Sequence, residues 1–324
     1  MELHQLEAFS AVISAGSITG AGRLLGRSQP SVTRAIQDLE LELGYALFDR
    51  KGPRVTPTQR AFLLYAEVER SLVGLDAIRA SARAIGLDEA RPLRVAATPS
   101  LAAALVPRAL ARSGAPADTH LRSAAAEHVV DALLSRAVDV GIATLPLAHG
   151  DIDLHYVIEA PCVAVLRNDD PLAQVPSLSL AQLAPRGLAT VANRYRLRRG
   201  IDRAFEAAGL RAHVVLESNA SLNAMMAAQA GLAIAIVDPA TAFGTPVAGI
   251  TTRALDVDIP FFYGVFSAAG RPLRQDAKAL IEAIEAVSVD LLPGAKRHGA
   301  ERHDALLARR ESLASQHAND GAIA

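Results

Sequence analysis

The sequence predicts an α/β protein with an all-α N-terminal region that ends in a β-hairpin. Over residues 3–43 and 58–85, apolar residues recur every three or four positions, as they do in amphipathic helices. From residue 93 onward, short apolar runs alternate with Ala-rich stretches, which predicts parallel strands joined by crossover helices. With 324 residues, of which 51% are apolar, the chain has enough material for one small and one larger packed domain.

Composition excludes several classes of protein. A single cysteine, Cys162, excludes an intramolecular disulfide, and no Cys/His spacing resembles a zinc site. The N-terminus lacks the basic start and apolar core of a signal peptide, and the longest apolar runs are far shorter than the roughly 20 residues of a membrane helix. We therefore expect a cytoplasmic protein without membrane contact, metal or cofactor. Cys162 lies in an apolar run, which favours a core residue over a redox switch.

Three helices are predicted in the first 44 residues. The first ends at Gly16, and Ser17 caps the second, which ends at Gly26. The segment Ser28-Gln29-Pro30 has the form of an N-cap followed by a proline in the first turn of a third helix, which Gly44 ends. Two short helices joined by a tight turn are typical of a helix-turn-helix. A plain three-helix bundle with solvated polar residues is the alternative.

The start of the third helix carries the candidate base-contacting residues. A helix that enters the major groove of DNA needs short or hydrogen-bonding side chains there, with a cation close behind. The candidates that fit are Ser28, Gln29, Pro30, Ser31, Thr33 and Arg34. Between residues 23 and 60 there are seven basic and four acidic residues, a local excess that favours an anionic partner.

A strand, a turn at Gly52-Pro53 and a return strand are predicted next, with three cations at the tip: Arg50, Lys51 and Arg54. A basic hairpin beside a recognition helix is a wing. Its cations would contact phosphates or enter the minor groove, and a solvated loop is the alternative.

Several short motifs in this region occur in a fixed order: Ala8-Phe9, Gly16-Ser17, Ser28–Thr33, Leu39-Glu40, Leu43-Gly44, Leu47–Arg50 and Thr56–Thr58. Together they closely resemble the LysR-type transcriptional regulators. Two departures are Gly20-Ala21-Gly22, where the family usually has Ala-Ala, and Arg60-Ala61, where a glycine is common. Each helix-interior glycine costs up to about 1 kcal/mol relative to alanine, which questions the local stability of the second helix.

The resemblance implies three regions: a winged helix-turn-helix DNA-binding domain (1–58), a linker helix (59–88) and an effector-binding domain (89–292). Residues 293–324 lie beyond the resemblance, and we expect them to form a poorly ordered C-terminal tail or a short helix. Apolar spacing and length predict the long linker helix from the residues themselves. The resemblance implies that it pairs with a second copy in a dimer, whereas packing on its own domain is the alternative.

The effector-binding domain resembles a type 2 periplasmic binding protein with two lobes. Lobe 1 spans about 91–160 and 264–292, lobe 2 spans about 161–263, and the chain crosses near Ala160-Pro161 and Phe262-Tyr263. The predicted strands are Leu93–Ala97, Val138–Ala143, Cys162–Leu166, Leu188–Val191, Val214–Leu216, Leu232–Val237 and Phe261–Phe266. The predicted helices are Leu101–Arg112, Glu127–Arg136, Ile201–Ala208, Leu222–Ala230 and Arg274–Val289.

Polar segments at the ends of these strands are candidate ligand sites, because ligands of α/β sheets bind beyond the carboxyl ends of the strands. Ordinary helix caps and exposed arginines are the alternatives. Segments 194–198 and 237–241 resemble the lysine- and opine-responsive branch of the family, which implies an amino acid or derivative with an α-carboxylate. Arginine suits such a ligand. The candidate effector residues are Thr98, Pro99, Ser100, Asn193, Arg194, Arg198, Ser218, Asn219 and Asp238.

The function predicted from the sequence is a sequence-specific DNA-binding transcriptional regulator that responds to a small molecule between the lobes. We expect a homodimer, with a homotetramer favoured, that reads an interrupted palindrome in double-stranded DNA, and a contact with RNA polymerase if it activates. An enzyme or a solute receptor without DNA binding is the alternative. The sequence has no Gly-x-Ser-x-Gly, Gly-rich phosphate loop or His-Glu-x-x-His motif for an enzyme.

Overall fold

A computed structural model describes residues 1–51, 54–87, 91–114, 118–147, 151–192, 197–270 and 272–307. The chain divides into two compact units, the N-terminal unit Met1–Arg91 and the C-terminal unit Pro92–Ala324. Each unit has its own hydrophobic core.

The N-terminal unit has the predicted order of three helices, a hairpin and a long helix. Its helices are α1 (Leu3–Ala15), α2 (Ile18–Leu25), α3 (Gln29–Leu43) and α4 (Gln59–Leu87). Its strands are β1 (Phe48–Lys51) and β2 (Arg54–Pro57), which pair antiparallel. Gly16, Gly26 and Gly44 follow α1, α2 and α3 with φ of 65°, 63° and 74°, so each helix stops at a left-handed glycine as expected.

One core joins these elements. Phe9 of α1 is fully buried and packs edge-on against Phe48 of β1 and Tyr65 of α4, with ring centroids 5.8 and 6.3 Å apart. Ile36 and Leu39 of α3 complete the same core. Helix α3, the hairpin and the first half of α4 therefore pack together around one core.

Large apolar side chains on α4 remain exposed: Phe62, Leu63 and Ile78 are 58%, 69% and 65% accessible. The predicted long helix is confirmed. An exposed apolar face on a long helix is typical of a pairing surface. Dimerisation through it stays a prediction.

The C-terminal unit contains two six-stranded sheets, one in each predicted lobe. Sheet 1 has the order β14-β6-β13-β5-β3-β4. Its strands are β3 (Leu93–Ala97), β4 (Thr119–Ser123), β5 (Val140–Thr144), β6 (Ile152–Pro161), β13 (Pro260–Ala268) and β14 (Lys296–His298). The helices that follow its strands are α5 (Pro99–Ala104), α6 (Val106–Ser113), α7 (Ala126–Leu134) and α12 (Gln275–Leu291).

Sheet 2 has the order β10-β9-β11-β7-β12-β8. Its strands are β7 (Val163–Arg167), β8 (Ser177–Leu178), β9 (Gly187–Val191), β10 (His213–Ser218), β11 (Ile234–Val237) and β12 (Ile250–Leu255). Its helices are α8 (Leu180–Leu183), α9 (Leu197–Ala207), α10 (Ser221–Gln229) and α11 (Pro239–Gly244).

All seven strands predicted for this unit are present, but the sheets are mixed and not wholly parallel. As expected, β3 and β5 pair parallel in sheet 1, and β9 pairs parallel with β10 and β11 in sheet 2. In sheet 1, β13 runs antiparallel to β5 and β6, and in sheet 2, β7 runs antiparallel to β11 and β12. The reason is topological, because a strand that enters a sheet directly from the other lobe does not need the crossover helix that enforces parallel pairing.

Three further expectations need correction. The second crossing lies between Leu255 and Pro260, since β13 already begins at Pro260 and not at Phe262. The helix expected over 101–112 is two helices, α5 and α6, that break at Leu105; Pro107 follows in the first turn of α6. The tail beyond Leu292 is not wholly disordered, because Lys296–His298 forms β14 and residues 301–307 form a helical turn. Residues 308–324 lie outside the described residues.

Candidate functional site

A close backbone approach shapes the turn between α2 and α3. Ser17 accepts a hydrogen bond from Gly20 N at 3.0 Å and caps α2 as expected. A Cβ at Gly22 would lie 2.7 Å from Arg27 O, and Arg27 N donates to Gly22 O at 2.9 Å. The glycine that departs from the family pattern is therefore required by this tight turn, which offsets its cost in helix propensity.

The first turn of α3 presents the predicted DNA-reading residues to solvent. Ser28, Gln29, Pro30, Ser31 and Arg34 are exposed, whereas Val32 and Ile36 are buried and fix the helix on the core. The Thr33 hydroxyl is half-buried and donates to Gln29 O at 3.0 Å. Ser28 occupies the N-cap position, but within the described part of the chain its side chain makes no capping hydrogen bond. The Ser28 hydroxyl is therefore not used to cap α3.

The wing is fixed to α3 by a residue that sequence reasoning did not single out. Glu40 Oε1 accepts hydrogen bonds from Leu47 N at 2.7 Å and Phe48 N at 3.0 Å, at the start of β1. The only signal for it was the Leu39-Glu40 motif. In the hairpin, Arg50 pairs with Val55 and Lys51 with Arg54. The side chains of Arg50, Lys51 and Arg54, and the turn at Gly52-Pro53, lie outside the described residues.

Helices of the two lobes meet beside the strand ends that carry several of the candidate effector residues. Helix α5 follows β3 of sheet 1, helix α11 follows β11 of sheet 2, and the two helices pack against each other. A Cβ at Gly244 of α11 would overlap the Ala104 methyl of α5. Because β9 is parallel to β11, the carboxyl ends of β3, β9 and β11 all lie toward this contact between lobes.

Two threonine hydroxyls at these strand ends are buried and unsatisfied. Thr98 after β3 is 5% exposed and Thr190 in β9 is 2% exposed, and neither Oγ1 has a hydrogen-bond partner among the described residues. Thr98 occupies the N-cap position of α5 without a capping bond from its side chain to any described residue, which removes the ordinary-cap alternative for this hydroxyl. The sequence marks the segment that begins at Thr190 as a candidate ligand site, but Thr190 itself was not among the candidate effector residues.

The other candidates in the cleft differ in what their polar groups contact. Next to Thr98, Pro99 is exposed and Ser100 is half-buried. Ser218 Oγ accepts from Asn223 Nδ2 at 2.8 Å, and Asn219 is exposed. Asn193 and Arg194 lie outside the described residues.

Arg198 and Asp238 are already engaged within the chain. Arg198 Nε donates to Asp202 at 2.8 Å, and its guanidinium also binds Glu217 of β10. Asp238 caps α11, accepting from Thr241 N at 2.9 Å and from the Thr241 hydroxyl at 2.8 Å. Buried charges need such partners. These contacts favour a structural role for both residues in place of the effector contact expected from the sequence.

Cys162 lies between the two lobes, and its thiol is not activated. Burial raises the pKa of the Cys162 thiol, and the carboxylates of Asp238 and Asp258 raise it further. The thiol stays protonated at neutral pH and is a poor nucleophile. In the described ranges there is no group of His, Cys, Asp and Glu that could hold a metal ion, and no helix long and apolar enough to cross a membrane.

Comparison with known proteins gives two family matches that together span most of the chain. Residues 3–61 match the model of bacterial regulatory helix-turn-helix proteins of the lysR family, and residues 88–288 match the LysR substrate binding domain.

The curated relatives are regulatory proteins. The regulatory protein NocR of Agrobacterium fabrum is 26% identical over 299 residues, which covers 90% of this chain and 100% of that protein. The octopine catabolism/uptake operon regulatory protein OccR of Rhizobium meliloti is 38% identical over 148 residues, which covers 45% of this chain and 50% of that protein.

Solved structures share the fold. Full-length CbnR complexed with its target DNA is 20% identical, covers 89% of this chain and 100% of that one, and superposes with a TM-score of 0.68. At this identity the likeness concerns the architecture.

Proposed function

The chain belongs to the LysR family of bacterial helix-turn-helix regulators, and from that premise we propose which of its residues read DNA and which bind the effector. It is a DNA-binding transcriptional regulator with an effector-binding domain, and not an enzyme. The roles of single residues, the effector class, the oligomer and the cytoplasmic location form the proposal.

Base reading is assigned to the exposed first turn of α3. Gln29, Ser31 and Arg34 present hydrogen-bonding groups to a major groove, and Thr33 offers its methyl group because its hydroxyl is bonded within the helix. Arg50 and Arg54 of the wing would hold phosphates and position the protein without specifying sequence. The observation that carries the assignment is that this turn is exposed, whereas Val32 and Ile36 on the other face of the same helix are buried in the core.

A second copy supplies the second reading head. The exposed apolar residues of α4 suit antiparallel pairing with the same helix of another chain, and a two-fold dimer reads an interrupted palindrome. We propose that two such dimers pair into a tetramer and that the protein acts in the cytoplasm. At promoters that it activates, it would also contact RNA polymerase.

Selection from random double-stranded DNA tests the division between base and phosphate contacts. We expect the purified full chain to enrich an interrupted palindrome. Ser31→Ala should enrich a different sequence, whereas Arg54→Ala should weaken binding to every sequence and reduce the salt slope by about 1. If both variants changed binding in the same way on every DNA, the assignment would be wrong.

The effector is proposed to be an amino acid or an amino-acid derivative that carries a carboxylate. The buried Thr98 and Thr190 hydroxyls support this site, because a buried hydroxyl without a partner costs about 1–3 kcal/mol unless something fills that role. The relative OccR, whose name refers to octopine, supports the chemical class. An effector held by Thr98 in lobe 1 and Thr190 in lobe 2 would shift the equilibrium between two arrangements of the lobes. The size of the shift is set by how much the effector's affinity differs between those arrangements.

A thermal-shift screen against amino acids, opine-like derivatives and aromatic acids tests this class. Thr98→Val removes the hydroxyl at nearly constant volume. It should leave the ligand-free protein as stable or more stable, because an unsatisfied polar group disappears, and should abolish the ligand-induced shift. Thr119→Val is the matched control, since the Thr119 hydroxyl is also buried without a described partner but lies at the opposite end of sheet 1, where β4 begins.

Equal ligand shifts in the two valine variants would contradict the role of Thr98. Stabilisation by aromatic acids alone would contradict the chemical class. Neither result would affect the assignment of the DNA-reading residues.

A further inference from the structure

A C-terminal segment returns to the crossing between the lobes. After α12, the strand β14 pairs antiparallel with β6, Lys296 with Glu159 and His298 with Val157. A helical turn over 301–307 follows. We name residues 293–307 the C-terminal strap. It lies beyond residue 288, where the match to the LysR substrate binding domain ends.

The strap binds the two strands that carry the chain between lobes. Strands β6 and β13 pair with each other, with Pro161 opposite Pro260, and Cys162 N donates to Ile259 O at 2.9 Å at the crossing itself. Gly294 of the strap lies against the last residue of β6, since a Cβ at Gly294 would be 3.3 Å from the Pro161 ring. A movement of the lobes must bend this two-stranded ribbon beside the strap.

One carboxylate and one guanidinium clamp the strap to both strands. Glu159 Oε2 of β6 lies 2.8 Å from His298 Nε2 and 2.9 Å from Arg302 Nη2. The Arg302 guanidinium also stacks over the Phe262 ring of β13, 5.1 Å from its centroid. The Glu159 side chain is only 16% exposed, so its charge-assisted contact with Arg302 is partly shielded from water.

The two ends of the strap are anchored on lobe 1. Arg297 lies 2.9 Å from Glu285 of α12 and over the Tyr156 ring. Leu147 N donates to His303 Nε2 at 3.3 Å. Burial lowers the pKa of His303, which keeps the imidazole neutral and able to accept this bond. Leu306 packs on the apolar cluster beneath.

We propose that the C-terminal strap restrains the movement of the two lobes. It adds a third strand to the lobe 1 end of the crossing ribbon and bridges β6 and β13 through Arg302, so it stiffens the ribbon directly beside the crossing at residues 161–162 and 255–260. The restraint raises the free energy of the bent arrangement relative to the observed one. This goes beyond the proposed function, because the strap acts on the lobes whether or not an effector is present.

Hydrogen exchange measured by mass spectrometry on the full chain tests the strap. The variants are Glu159→Gln, which removes the charge at nearly constant volume, and Arg302→Gln, which removes the guanidinium that contacts Glu159 and Phe262. The control is Arg112→Gln, whose partner Asp290 lies on the same lobe in an exposed pair away from the crossing. We expect amides at residues 157–163 and 256–262 to exchange about tenfold faster in both strap variants and unchanged in the control.

The peptide 213–218 in β10 reports on general loss of stability, because it lies at the far edge of sheet 2. The proposal is overturned if exchange accelerates equally in this peptide, which would make the strap contacts part of global stability. It is also overturned if only residues 296–307 accelerate, since the strap would then detach without releasing the crossing.

Discussion

Replacing Gly244 by alanine tests how tightly the lobes are joined. Gly244 of α11 lies against Ala104 of α5, and a Cβ there would overlap the Ala104 methyl and lie 2.8 Å from Ala104 Cα. Since atoms of both helices would have to move, we expect the cost of overpacking, about 1–3 kcal/mol. For a unit of this size that corresponds to a decrease in Tm of roughly 2–4 °C per kcal/mol.

Differential scanning calorimetry of the full chain measures this cost in the transition of the C-terminal unit. Ala104→Gly alone should cost up to about 1 kcal/mol through helix propensity. Combined with Gly244→Ala, it removes the nearest overlap but not the approach to the Ala104 Cα, so the double variant should recover part of the loss. We expect a coupling energy of about 1 kcal/mol between the two sites.

A Gly244→Ala protein with unchanged Tm would refute the reasoning, since α5 and α11 would then not be in the close contact described. Strictly additive effects of the two substitutions would refute it equally.

Three further predictions concern single residues. Ser17→Ala should destabilise the N-terminal unit by about 1 kcal/mol because the hydrogen bond that caps α2 is lost. Ser28→Ala should cost about 0.5 kcal/mol or less, because its side chain makes no such bond, and should weaken DNA binding. Denaturant unfolding and DNA titration of both variants check this, and equal losses of stability would contradict it. Arg136 has φ of 58°, so Arg136→Gly should raise the free energy of unfolding by up to about 1 kcal/mol. Denaturant unfolding measures this, and a lowered free energy of unfolding would count against strain at Arg136. Burial lowers the pKa of His155 and of His303, so the unfolded chain binds more protons than the folded chain below about pH 6.5. The free energy of unfolding should therefore fall as the pH drops from 7 to 5, and it should fall less in His155→Gln. Denaturant unfolding across this pH range measures the decrease.

Local signals in the sequence were sufficient for the N-terminal unit. Glycines in the left-handed conformation end α1, α2 and α3, and the apolar spacing places Phe9, Ile36 and Leu39 in the core. These features depend only on residues within one or two helical turns, so the spacing of residues along the sequence is enough to predict them. Gly22 is different, because the carbonyl that requires it belongs to the next turn of the chain.

Five strands of the C-terminal unit were not predicted from the sequence: β4, β6, β8, β12 and β14. Strands β8 and β14 have only two and three residues. In β4 most side chains are exposed, and in β6 and β12 polar residues interrupt the apolar ones, so the longest apolar run is the three residues Tyr156–Ile158. Strand direction was missed for another reason. Whether β13 runs parallel or antiparallel depends on which lobe the chain comes from, and that is a property of the whole path and not of residues 260–268.

At the candidate effector site, the sequence pattern does not determine whether a polar side chain caps its helix. Thr98-Pro99 and Asp238-Pro239 are the same pattern, a polar residue and a proline at the end of a buried strand before a helix. Yet Asp238 caps its helix through Thr241, whereas Thr98 makes no capping bond to the described residues, because the choice depends on how each side chain is oriented by packing. The difference has a consequence for the effector. A carboxylate placed near α11 would meet the charge of Asp238, while one near α5 would meet a hydroxyl that can donate. The carboxylate of the proposed effector is therefore expected on the side of lobe 1, beside Thr98.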